Sequence, residues 1–78
     1  MSKITIGVNN IIENKLLIDA LLRIGYSISV MYLNKGNNCV TINTDTKTIT
    51  THNVLINTKP FVDYSYDEFI LMLKFNTL

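Results

Sequence analysis

Seventy-eight residues are enough for one small domain and no more, so residues 1–78 are read as a single unit. Apolar side chains make up 47% of the chain and charged ones 17%, which is too apolar for a disordered segment. Seven basic residues against six acidic ones leave a formal charge of +1, which argues against both a strongly basic nucleic-acid binder and an acidic mimic of DNA.

The single cysteine, Cys39, cannot close an internal disulfide, so a reduced, cytoplasmic setting is expected. No apolar run reaches the roughly 18 residues of a spanning helix, and no membrane association is expected. Met1-Ser2-Lys3-Ile4-Thr5-Ile6 alternates instead of forming the apolar block of a secretory signal. Ile, Asn, Lys, Tyr and Phe supply 34 residues, against 6 from Ala, Gly, Pro and Arg. That bias points to A/T-rich coding of the kind found in many bacteriophages and mobile elements. The setting would then be the cytoplasm of a host cell.

The first element is a strand, with Ile4, Ile6 and Val8 alternating with Lys3, Thr5 and Gly7. Asn10, followed three residues later by Glu13, has the spacing of a capping box. A helix is expected from Ile11 to Ile24, closed by Gly25. Lys15, Asp19 and Arg23 fall at i, i+4 and i+8 as one polar stripe. Ile11, Leu17, Ile18, Leu21, Leu22 and Ile24 occupy most of the remaining circumference. So wide an apolar arc predicts cover on two sides, by a sheet and by either the second helix or another copy of the chain.

Ser27–Leu33 and Asn38–Thr44 flank Asn34-Lys35-Gly36-Asn37, a turn with glycine where a positive φ is needed. That hairpin would pair Val30 with Val40 and Ile28 with Ile42. A second hairpin at Asp45-Thr46 would pair Ile42 with Ile49, Val40 with Thr51 and Cys39 with His52. Both registers put the β-branched apolar residues on one face, which predicts a three-stranded antiparallel meander. The opposite face would then carry uncharged rows: Ser27/Asn43/Thr48, Ser29/Thr41/Thr50 and Met31/Cys39/His52. Val54-Leu55-Ile56 reads as a short buried strand or connection, ended by Asn57-Thr58-Lys59-Pro60. Ser65 and Glu68 form a second capping box for a final helix that turns Tyr66, Phe69, Ile70, Met72 and Leu73 to the core. The expected fold is therefore α+β, in the order β-α-β-β-β-(β)-α. The sheet would be mainly antiparallel, with two helices packed on one face.

No residue set meets the needs of an enzyme. A Cys39–His52 pair lacks an orienting third residue, an oxyanion donor and a cleft. One Cys and one His, with Asp45 and Asp63 far off in sequence, fall short of a metal-ligand set, so neither metal nor cofactor is expected. Gly7-Val8-Asn9-Asn10 leads from strand to helix, and Gly7, Asn9 and Asn10 are the candidate anion-binding residues; no phosphate-loop lysine accompanies them.

Phe61, Asp63, Tyr64 and Asp67 gather aromatic and acidic side chains in one short stretch, as contact surfaces do. Ser29, Thr41, Thr50 and His52 on the polar sheet face are further candidates for a protein contact. Direct nucleic-acid readout from that face would need aromatic and basic residues that it lacks. The β-α-β-β order resembles the start of ferredoxin-like domains such as RRM and ACT modules, in element order only.

The expected function is a non-enzymatic protein-binding module. Its most concrete form is a small phage- or mobile-element-type inhibitor of a host protein, for example one of a host-defence complex of the anti-CRISPR kind. The alternative is a small-ligand or nucleotide-binding regulatory domain using the Gly7–Asn10 loop. A homodimer is the expected assembly.

Overall fold

The computed structural model describes residues 3–30 and 38–75. β1 (Lys3–Gly7) leads into α1 (Ile11–Arg23), followed by β2 (Ser27–Val30), β3 (Cys39–Asn43) and β4 (Thr48–His52). A long connection then reaches the two-residue β5 (Tyr64–Ser65), and α2 (Tyr66–Lys74) follows directly. The five strands form one mixed sheet in the order β2-β4-β3-β1-β5, with both helices packed against it. This is the expected small α+β fold.

The sheet is mixed, not mainly antiparallel. β3 runs antiparallel to both β1 and β4, whereas β2 lies parallel to β4 and β5 parallel to β1. The β3–β4 register is the expected one, with Cys39 opposite His52, Val40 opposite Thr51 and Ile42 opposite Ile49. The β2–β3 hairpin is overturned. Ile28 pairs with Ile49 and Val30 with Thr50, both on β4, and Ile4 and Ile6 of β1 pair with Ile42 and Val40. The reason is competition between equivalent patterns. β1 and β2 present the same apolar alternation, and β1 takes the inner edge of β3 while α1 carries the chain to the far side of β4. The ferredoxin-like resemblance therefore does not extend to the sheet, in which β3 and β4 both separate β1 from β2. The expected Asn34–Asn37 turn, and Met31, lie outside the described residues.

The β3–β4 loop explains how a sequence without a favourable two-residue turn still fixes its register. Asn43 Oδ1 accepts from the amides of Asp45 and Thr46, and Lys47 takes φ +57°. The helix termini are chemically explicit. Asn10 caps α1 by accepting from Glu13 N, and Gly25 follows α1 at φ +104°. At α2 the Ser65–Glu68 capping box is complete in both directions.

One core joins the layers: Ile6, Val8, Val40, Ile42 and Ile49 from the sheet, Leu17, Ile18 and Leu21 from α1, Tyr26, and Phe69 from α2. Tyr66, Ile70, Met72 and Leu73 pack against it, half-buried. Val54–Ile56 is not a buried strand. It belongs to the irregular connection between β4 and β5, and Leu55 is fully exposed.

Candidate protein-contact site

On the face away from the helices, β3 and β4 bring Thr41 beside Thr50 and Asn43 beside Thr48, as expected. β1 adds Lys3 next to Asn43 and Thr5 next to Thr41, so the face carries a positive charge that the meander would not have given it. Thr5 Oγ1 and Thr41 Oγ1 lie 3.2 Å apart, and Thr41 Oγ1 is 2.8 Å from His52 Nε2. A hydrogen-bonded chain thus ties β1, β3 and β4 across this surface. Lys3, Thr41, Asn43, Thr48, Thr50 and His52 line a shallow concavity of about 340 Å³. Ser29 does not join the Thr41/Thr50 row: the β2–β4 register shifts between Ile28 and Val30, leaving Ser29 exposed at the irregularity.

The other end of the same face is roofed. Cys39 is wholly buried there, and a Cβ on its neighbour Gly7 would collide with the Asn57 carbonyl. Burial, with a smaller contribution from the Asp63 carboxylate, pushes the Cys39 thiol up to about 11. The Nε2 of His52, its cross-strand neighbour, is engaged with Thr41. Among the described residues no group of three or more His, Cys, Asp or Glu could hold a metal ion.

The roof is the connection between β4 and β5, and it is pinned at four places. Asn38 Oδ1 accepts from Val54 N while its Nδ2 donates to Val54 O. Asn57 Nδ2 donates to Val8 O at 2.6 Å. Asp63 brackets β1, its amide donating to Thr5 O and its carboxylate accepting from Thr5 N. Lys59 Nζ reaches Glu68 Oε2 at 2.9 Å on α2. Between these anchors Val62 turns inward, while Leu55, Ile56 and Phe61 project into solvent.

The sequence-derived contact residues divide accordingly. Phe61 is 66% exposed and does not close the core. Asp63 and Asp67 are exposed, Asp63 serving also as the edge cap of β1. Tyr64 is half-buried, its ring centroid 6.4 Å from that of Phe69. Leu55 and Ile56 were missed. Their legible sign is an apolar triplet with no strand left to pair with it.

The Gly7–Asn10 loop is already occupied by the chain's own groups. The backbone amide and the side-chain amide of Asn9 both donate to Glu13 Oε1, and Glu13 N donates to Asn10. A carboxylate thus stands where an external anion would bind.

No helix among the described residues is long and apolar enough to cross a membrane. No family model, curated protein or solved structure matches the chain.

Proposed function

We propose that this chain is a non-enzymatic protein-binding module, acting as a small inhibitor of a host protein of the phage- or mobile-element type. The observation that supports this reading is the pinned connection, which holds Leu55, Ile56 and Phe61 outward, with Asp63 and Asp67 also exposed. Exposed large apolar groups cost solvation free energy unless something covers them. Fixing them in place before contact reduces the ordering cost of binding. An aromatic and two aliphatic anchors, with carboxylates close by in sequence, have the composition of a contact centre with a polar rim. The nucleotide-binding alternative is disfavoured, because Glu13 holds the donors of Asn9.

The test is capture of a stoichiometric partner from host lysate by the tagged chain, followed by affinity measurement with the purified pair. Leu55→Ser and Phe61→Ser should each weaken binding while leaving the melting curve of the free chain unchanged. Capture that survives both substitutions at full affinity would end the reading.

A further inference from the structure

The outer surface of the helical layer poses a separate question. α1 buries Leu17, Ile18 and Leu21 against the sheet, yet Ile11, Ile12, Leu16 and Leu22 on the same helix are exposed, Ile12 by 67%. At about 100° per residue, Leu22, Lys15, Asp19, Ile12, Arg23 and Leu16 share an arc of roughly 120° on the side away from the core. A helix facing only water would carry polar side chains there. α2 packs beside α1 and also carries exposed Leu71 and Phe75.

The charges within this arc say what covers it. Lys15, Asp19 and Arg23 are exposed, and among the described residues none has an ion-pair partner in its own chain. Lys15 and Asp19, one turn apart on this stripe, are of opposite sign and so form a self-complementary pair. Two copies of α1 laid antiparallel, with a two-fold axis midway between Lys15 and Asp19, set Lys15 opposite Asp19 of the partner subunit and Asp19 opposite its Lys15, while Arg23 falls opposite Ile11. A second copy of the chain is the occupant in which two-fold symmetry satisfies both members of this pair at once. We infer that the helical layer is a homodimer interface, with α1 packed antiparallel on its counterpart and Lys15 facing Asp19 of the partner subunit. This inference does not rest on the contact role of the 53–63 connection.

Sedimentation equilibrium of the full chain over micromolar to millimolar concentration tests it. The expected result is a mass approaching twice 8.9 kDa for the wild type. Ile12→Glu, at an exposed position, should give a folded monomer. Lys15→Glu and Asp19→Lys should each be monomeric alone, through like-charge opposition across the seam, and should form a dimer when mixed. A wild type that stays monomeric throughout would overturn the proposal. So would a dimer indifferent to all three substitutions, or single charge variants that do not recombine. Loss of a captured foreign protein by Ile12→Glu, with the wild type monomeric, would assign the layer to that protein instead and overturn the proposal equally.

Discussion

Replacing Gly7 by alanine tests whether the connection is clamped onto the sheet. Gly7 is buried in β1 beside Cys39, and the place of its missing Cβ is filled by the Asn57 backbone carbonyl. A backbone atom cannot swing aside as a side chain can, so the connection must lift. Overpacking of this kind costs about 1–3 kcal/mol. Lifting also breaks the Asn57 Nδ2–Val8 O hydrogen bond, a further loss of about 1 kcal/mol. Against these, alanine in a strand gains about 0.5–1 kcal/mol over glycine. The balance is a destabilisation of about 2 kcal/mol, or a fall in Tm of about 8–16 °C for a chain of this size. Urea denaturation followed by circular dichroism reads the stability. Thiol labelling of Cys39 under native conditions reads the opening of the roof and should accelerate. The matched control is Gly25→Ala, where nothing lies near the added Cβ and only the positive φ is strained, costing about 1 kcal/mol. A Gly7→Ala protein as stable as the wild type, with Cys39 labelled no faster, would refute the clamp.

Other consequences follow from the same contacts. Ser65→Ala removes the capping hydroxyl of α2 and should cost about 1 kcal/mol by chemical denaturation. The Glu68 carboxyl is held below its ordinary value by the Ser65 backbone N–H and by Lys59. Its folded pKa therefore lies below its unfolded one, so its contribution is full above the ordinary glutamate value of about 4.3 and is lost as pH falls through the folded value. Tm recorded from neutral to acid pH should show that loss in the wild type and less of it in Glu68→Gln. The Cys39 thiol, raised to about 11 by burial, should resist alkylation at neutral pH and react only on unfolding. Asn38→Ala strips both polar groups of Val54 of their partner and should cost about 2 kcal/mol by the same denaturation assay.

Apart from the two-residue β5 at Tyr64–Ser65, where no strand was expected, the elements themselves were legible in the chain. Alternation in Cys39–Asn43 and Thr48–His52 fixes a register that leaves Ile42 opposite Ile49, because any one-residue slip would turn the β-branched residues out of the core. Neither the caps at Asn10 and Ser65 nor the stop at Gly25 needed tertiary information. What pattern could not decide was which of two like strands would lie beside β3. Ile4/Ile6 and Ile28/Val30 alternate alike, and the choice falls to the path of α1, a long-range property.

The contact region was half legible for a related reason. Phe61, Asp63 and Asp67 stand out by composition, but an apolar triplet such as Val54–Ile56 reads equally as a buried strand. Its backbone instead finds partners in the side chain of Asn38, and that contact crosses 16 residues of sequence. Asp63 carries a second role that composition hides, since its carboxylate closes the outer edge of β1 at Thr5.

The most direct test of the proposed contact role is hydrogen–deuterium exchange of the chain, free and bound to its captured partner. Protection should appear across residues 53–63, centred on Leu55, Ile56 and Phe61, with α1 and the Thr41/Thr50 face unchanged. Protection confined to another surface, or none in a saturated complex, would contradict it.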